Sequence, residues 1–557
     1  MNMWDAKDIK RDQADMEQAR RGFDDMMRES AIWFLPRHQQ FDAIHMPGGM
    51  RGPQNDVRIF DPHAQQAVEQ SVSLFESYLM PRGQIWQRWG LPDPELEKLR
   101  HVREWKERKN LLLFKLRNDP RSGFTGQMHE SSASLLVMGM QSMWPDIRRD
   151  VRGNPIGLSY RSEFVGQTYV KTDAQGLVSK VHYTFTWTAE KAQQKWGKES
   201  PECVKKAMKD NTPNSEFRFL HAIKPNAHFD PSRLDEVGKP WIGCFYSFTG
   251  EEIFKTGGYR SIPRIVSRYT TAPNEDYGRC PAFSVLPAVR GAQQLIRDMI
   301  LASELNAMPP LGAHTDMMDE TVKYAAHQIT YGAIDHRGNR KIIPLVEPSD
   351  MSGSMAILER LQGLIDRAFF VDMLQIRQDL KSHVTDSQLY QREEEKGILL
   401  SPLANQETEW LSVMLDREID LMDEMGLLDD MPGEVAEALE GGMDLLDVTY
   451  DNGLSRAQEA GAAAGYFRML EQFAPVFQGD QTGEAWGKFT QKYPLDKVLD
   501  HMGRINGVPA SWEADEDERA EAEAAALHRS KTQDLITALP AIGKSAKDLS
   551  QAVATDG

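Results

Sequence analysis

The chain has 557 residues, enough for three or four domains at about 150 residues each, or for one elongated subunit with several subdomains. Acids outnumber bases by 83 to 65, a formal net charge of −18, which is not the balance of a protein that coats itself in nucleic acid or anionic lipid. With 40% apolar residues it can bury a large core, and its three scattered cysteines, Cys203, Cys244 and Cys280, exclude a disulfide framework or a cysteine zinc site and suit a reducing compartment.

The first ten residues hold no apolar run of the kind a signal peptide needs, and the longest apolar stretch, 133–140, is under half a membrane span. The expectation is a soluble protein that stays where it is made. Residues 1–145 read as mostly helical. Val68, Val72, Leu74, Phe75 and Leu79 recur at helical spacing until Pro81 and Gly83 end the run, and a further helix is expected over 95–116. The window 98–121 holds nine Lys/Arg against three acids, which suits either a solvated helix face or a contact for an acidic neighbouring subunit.

From about 155 to 265 the texture is β. Residues 168–172 and 177–187 alternate around Asp173-Ala-Gln-Gly176, a hairpin pattern; a short helix is expected over 189–196, then strands over 216–223, 241–248 and 253–256. Pro281 can open a helix, and Val285, Val289, Ala292, Ile296 and Met299 follow at spacings of 4, 3, 4 and 3 until Pro309-Pro310. A helix of that length is a rod of about 42 Å. Residues 311–353 read as a small mixed segment with a turn over 335–341. A second rod, 354–376, carries Ile357, Leu361, Leu364 and Ala368 on one stripe. A long charged helix then runs to about 426, with Pro402 expected to kink or divide it. Residues 416–447 hold twelve acids and one base, and 427–557 read as an all-helical acidic appendage.

Catalytic motifs fail on inspection. Ile542-Gly-Lys-Ser545 ends like a phosphate loop, but its first glycine position is Ala538; the calcium-loop-like run from Asp447 has Asn452 where glycine is obligatory. His129-Glu130 lacks a second histidine, since that position is Ala133. The fourteen histidines form no HxH or HxxxH pair, and no carboxylate pair stands out. Neither an enzyme nor a cofactor or metal site is expected. What remains is two amphipathic rods flanking a small module with a basic tip. They form either an ordinary core pair or helices that pack between subunits of a ring.

Gly257-Gly-Tyr-Arg260, Pro263, Arg268-Tyr269, Tyr277-Gly-Arg279 and Pro281 resemble the signature stretch of portal proteins, the head-to-tail connectors of short-tailed double-stranded-DNA bacteriophages. Thr186-Trp-Thr-Ala189, His221-Ala-Ile223, Leu286-Pro-Ala-Val-Arg290, Phe369-Phe370, Arg392-Glu-Glu-Glu395, Leu400-Ser-Pro402 and Glu409-Trp-Leu411 extend the resemblance over roughly 20–450 in matching order. Thr385-Asp-Ser-Gln388 departs from the Thr-Ala-Thr-Glu-like run of relatives.

The resemblance implies an α+β, mainly helical, elongated subunit in a closed ring, normally of twelve copies, at one capsid vertex. Its parts would be a wing (1–275, β-rich over 155–265), a first stem helix (276–308), a clip (309–353), a second stem helix (354–376), a tunnel loop (377–386), a long wing helix (387–426) and a helical crown (427–557). Double-stranded DNA would pass through the channel during packaging and ejection. The implied partners are the terminase motor, major capsid and scaffolding proteins, tail adaptor or nozzle proteins and internal head proteins, with no membrane. The implied place is the virion, with assembly in the host cytoplasm. Within that frame Arg377, Lys381 and His383 are expected to face DNA in the tunnel loop. His336, Arg337, Asn339, Arg340 and Lys341 are expected to form the docking tip, and Val285, Val289, Ile296, Met299, Ile357, Leu361 and Leu364 to pack the stem. Because dense Lys/Arg–phosphate contacts would brake sliding DNA, the lumen is expected to be acidic with sparse bases. The competing readings are a packaging ATPase, which would need the phosphate loop the chain lacks, and a capsid or scaffold component without a DNA channel.

Overall fold

Asp5 begins the first helix. Its carboxylate accepts from the Lys7 amide, and α1 (Ala6–Phe34) follows, burying Ile9, Met16, Met27, Ala31 and Phe34. The computed structural model describes residues 4–36, 59–313 apart from 94, 97, 98 and 234, then 329, 331–345, 351–371, 401–440, 447–451, 469–470, 472–474, 484–494 and 498–499. α2 (His63–Leu79) buries all five residues of its apolar stripe and stops just before Pro81. β1 (Gln87–Gly90) and α3 (Arg100–Asn118) lead to α4 (Phe124–Met138), every residue of which is buried from Ser131 onward.

The β region opens earlier than expected. β2 (Met140–Arg149) begins inside the stretch read as helical and lies between β3 (Pro155–Glu163) and β9 (Ile265–Arg268) in an antiparallel sheet. Its first four residues are all buried, so they show no in–out alternation, and that period was the signal being sought. β4 (Thr168–Thr172), β5 (Val178–Thr188), β6 (Glu216–Pro225), β7 (Trp241–Ser247) and β8 (Glu252–Tyr259) form a five-stranded antiparallel meander. Its first hairpin turns where the Asp173 carboxylate accepts from the Gln175 and Leu177 amides and Gly176 takes φ +83°.

Strand alternation gives this sheet two cores. Leu220, Ala222, Cys244 and Tyr246 meet Ile9 of α1. On the opposite face Tyr183, Phe185 and Phe219 meet Trp196 of α5 (Ala189–Trp196) and Val204 of α6 (Glu202–Lys209).

α7 (Pro281–Ala307) leads to the paired strands β10 (Leu311–Ala313) and β11 (Ile342–Pro344), and α8 (Ser352–Ala368) returns. α8 stops eight residues short of the expected 376. Phe370 adopts φ +58° and the Val371 amide bonds back to the Asp366 carbonyl at 2.9 Å, which closes the helix in a left-handed cap.

From Ser401 the chain is helical again as α9 (Ser401–Gln406), a π turn (Glu407–Ser412) and α10 (Val413–Glu424). The break expected at Pro402 falls at the edge of the described residues; within them the irregularity is the π turn at 407–412. There the wider turn accompanies burial of Trp410, and Glu409 pairs with buried Arg268 at 2.9 Å.

The acidic stretch beyond it is not all helical. After α11 (Gly433–Glu440), β12 (Asp447–Tyr450) pairs with β1, and the chain divides into two units after residue 458. In the second unit a helix, α12 (Glu484–Lys492), places the Phe489 and Tyr493 rings 5.3 Å apart.

Of the basic window, Lys109, Arg117 and His101 meet acids of this same chain. Lys109 pairs with Asp430 and donates to the Leu427 carbonyl, and His101 lies 3.3 Å from Glu434. Arg117 is buried against Glu418, with its Nε 2.9 Å from one carboxylate oxygen, and the Tyr160 hydroxyl donates to the same group. Lone burial of Glu418 would be untenable; two donors to one carboxylate make it affordable in structural terms. Desolvation, reinforced by the Glu418 charge, pushes the Tyr160 hydroxyl well above its ordinary pKa.

Candidate functional site

The helix pair α7–α8 is built from its anchored end outward. Extended Cys280 and Pro281 at the first turn start α7, and the Cys280 thiol donates to the Val137 carbonyl. The preceding Gly278 crosses Gly139 so closely that a Cβ on it would lie 2.1 Å from the Gly139 carbonyl oxygen. The glycine is needed for this backbone approach, not to permit a positive φ.

Ala282, Phe283, Val285, Leu286, Val289, Ala292 and Gln293 of α7 are buried. Leu361 of α8 packs over Gly291, where a Cβ would meet its Cδ1 at 3.5 Å. Phe369, just past α8, sets its ring 5.4 Å from that of Phe34.

A polar clamp fixes this end. Gln293 Oε1 accepts from the Phe60 and Asp61 amides at 2.7 and 3.0 Å, while its Nε2 donates to the Asp61 carbonyl at 2.7 Å. From the other helix Gln362 Nε2 donates to the Asp61 carboxylate at 3.1 Å, and His63 Nε2 stands 2.8 Å from Asp366. Asp61 thus ties both helices to one short segment. Arg290 adds a two-pronged pair with Glu29, whose carboxyl those hydrogen bonds hold below its usual range. Sequence reasoning missed this clamp. A glutamine on the buried face of an apolar stripe was its available signal, because a buried amide demands partners.

Farther along, the same helices lose their cover. Ile296 and Met299 are half-buried, and Ile300, Leu301, Leu305 and Met308 are exposed, Met308 by 80%. On α8, Leu361 is half-buried but Ile357 and Leu364 are exposed by 56% and 42%, so these two do not pack within the subunit. Ile365, one position beyond Leu364, is the residue α8 buries. Of the stripe 357–361–364–368, Leu361 meets α7 and Ala368 is half-buried, while Ile357 and Leu364 face away from the subunit's own core.

At the far end, the turn at Asp335 closes through the Asp335 amide to the Asn339 carbonyl and the Gly338 amide to the Asp335 carbonyl, both 2.8 Å, with Gly338 at φ +85°. His336, Asn339, Arg340 and Lys341 line one open concavity with Gly312, Ala313 and Ile343. Arg337 is exposed but is not among its lining residues. Arg377, Lys381 and His383 lie outside the described residues. Among the described residues no cluster of His, Cys, Asp and Glu is placed to hold a metal ion, and no helix is long and apolar enough to cross a membrane.

The helix pair is thus anchored at one end, bare at the other, and carries a basic turn. The comparisons show the family. The model of the family described as bacteriophage head to tail connecting protein matches residues 6–512, and the chain belongs to that family. It is 20% identical over 508 residues to the portal protein of Salmonella phage epsilon15, spanning 89% of this chain and 86% of that one. It is 23% identical over 488 residues to the probable portal protein of Bordetella phage BPP-1, spanning 86% and 83%.

Proposed function

We propose that the chain is a phage portal subunit: copies close into a ring at one capsid vertex, and the double-stranded genome is packaged and ejected through its centre. The observation that carries this reading is the uncovered apolar half of the α7–α8 pair, with Ile300, Leu301, Leu305 and Ile357 exposed. A monomer rarely leaves such a patch open, and rotation of one heterologous contact closes a ring. In this reading 276–308 and 354–376 are the stem and 309–353 the clip, while 377–386, with Arg377, Lys381 and His383, faces DNA. The terminase motor and then the tail dock on the clip, and capsid, scaffold and internal head proteins contact the rest.

Negative-stain electron microscopy with native mass spectrometry tests the reading. Open-centred rings with a mass near twelve times 63.2 kDa are expected. Changing Lys381 and His383 to Ala leaves rings intact in that assay and alters the DNA packaged or retained per particle; unchanged packaging would show that these residues do not face DNA. A protein that stays monomeric even when co-assembled with capsid and scaffold would sink the portal reading. At the clip, Arg337→Glu with Arg340→Glu weakens binding of the motor or tail by tenfold or more while rings persist; wild-type binding of both would show that the tip is not the dock.

A further inference from the structure

Between the two sheets lies a cavity of about 160 Å³ that shares no residue with the helix pair, its polar clamp or its basic turn. It is walled by Trp144 of β2, Phe185 and Trp187 of β5, Trp196 of α5, and His221 and Phe245 of β6 and β7. The rings are ordered on one another: Trp187 stacks on Trp196 at 5.1 Å, and His221 on Phe245 at 4.2 Å with 7° between planes. A dry cavity of about 150 Å³ is the size that accepts one benzene ring.

The polar groups are few and mostly cationic. Arg161, Lys195, Arg264, Asp146 and Ser159 complete the lining. Arg264 is 2% exposed, lies 4.8 Å from the Trp144 ring and 4.1 Å from the Tyr183 ring, and contacts Glu163. Burial, and after it the nearby Arg161 charge, push its pKa well below the ordinary guanidinium range, and the Glu163 carboxylate in contact with it is the anion that favours the charged form. Arg161 holds the other Glu163 oxygen at 2.7 Å, so two guanidiniums share one carboxylate. Lys195 and Asp146, 3.6 Å apart, cancel.

His221 adds no charge. Arginine only donates, so the contact of Arg264 Nη2 with His221 Nδ1 at 3.1 Å makes Nδ1 an acceptor, leaving the proton on Nε2, toward the Tyr259 hydroxyl at 3.4 Å. The lining therefore carries one uncompensated positive charge beside a ring-sized aromatic slot. Arg264 Nε, buried, has no hydrogen-bond partner among the described residues.

We propose that this cavity binds an aromatic carboxylate, its ring among Trp144, Trp187, Trp196 and Phe245 and its anionic group at Arg161 and Arg264. The same chemistry is presented by a free aromatic acid and by an aromatic residue at the C-terminus of a protein chain.

The test titrates sodium benzoate into the full-length protein, read by calorimetry and tryptophan fluorescence. Saturable binding with a Kd on the order of 1 mM or tighter is expected, with the neutral isostere benzamide at least about tenfold weaker. Arg161→Gln and Trp187→Ala should each weaken benzoate about tenfold, and because Arg161 is exposed and Arg264 still contacts Glu163, Arg161→Gln should leave the unliganded melting temperature near wild type. Arg264 is left unchanged, since its loss would strand Glu163. A short peptide ending in phenylalanine, compared with its C-terminal amide, separates the sources: tighter binding than benzoate that the amide loses assigns a protein terminus, and exclusion of the peptide assigns a free acid. Absence of saturable benzoate binding, equal binding of benzamide, or an unaffected Arg161→Gln variant would each overturn the proposal. So would adenosine monophosphate competing as well as benzoate.

Discussion

At the scale of single residues, the histidines show how position decides chemistry. His182 is buried on the α1 face of the meander, where its Nδ1 donates to Gln13 Oε1 at 3.0 Å; the Gln13 amide nitrogen is already committed to Glu17 at 2.9 Å. Burial, aided by Lys180 and Lys224 and opposed by Asp12, brings its pKa down to about 4, and burial brings that of His221 down to about 3. An unfolded histidine takes up its proton near pH 6.5. Between about pH 6.5 and 4 the unfolded chain therefore binds a proton at His182 that the folded chain does not. The contribution is whole above that window and is lost as pH falls through it, at about 1.4 kcal/mol per pH unit. Replacing His182 by Gln keeps a donor for Gln13 and removes the titration. Urea unfolding at pH 7 and pH 5 should show the wild type losing about 2 kcal/mol more than His182→Gln; equal losses would mean that His182 is protonated in the fold.

At the scale of elements, two glycines make opposite predictions. Gly278→Ala must push its Cβ into the Gly139 carbonyl and the Arg268 side chain, so it should destabilise by about 3 kcal/mol or more, seen as lost soluble yield or a large drop in melting temperature. Gly291→Ala places its Cβ at ordinary contact with Leu361 and gains helix propensity, so it should stabilise by up to about 1 kcal/mol. A lowered melting temperature for Gly291→Ala would mean the helices sit closer than 3.5 Å contact allows. These two positions also measure what the sequence could reveal. α2, α5, α7 and the meander are legible because their apolar periods or turn residues lie within one short window. β2 and β12 are not: the first is buried on all sides at its start, and the second gains its strand character from pairing with β1, more than 350 residues earlier. The Asp61 clamp is assembled the same way, from residues more than two hundred positions apart, and the aromatic cavity draws on several strands between Trp144 and Arg264. Local patterns carry no record of such partners. The helix stripe on α8 was legible, but which of its sides meets the subunit's own core was not.

At the scale of the whole molecule, charge and apolar surface work against each other. A subunit at −18 repels its copies, and twelve of them would carry about −216, so ring closure needs enough buried contact to offset that repulsion. A stable interface removes about 1,600 Å² from water, and buried apolar area is worth about 25 cal/mol per Å² before the costs of association. Leu301 and Ile357, about half exposed on the bare part of the helix pair, are placed to supply such a contact without holding the subunit itself together. Leu301→Asp with Ile357→Asp should therefore abolish rings while shifting the monomer's own unfolding by no more than about 0.5 kcal/mol per site. Size-exclusion chromatography with native mass spectrometry reads the first effect, and circular dichroism melting of the monomer reads the second. Because surface repulsion is screened within about 10 Å at 0.1 M salt, raising the salt should favour wild-type rings but not rescue the variant, whose defect is a desolvated carboxylate. Rings from the double variant at wild-type yield would show that this face looks onto solvent and that the subunits meet elsewhere.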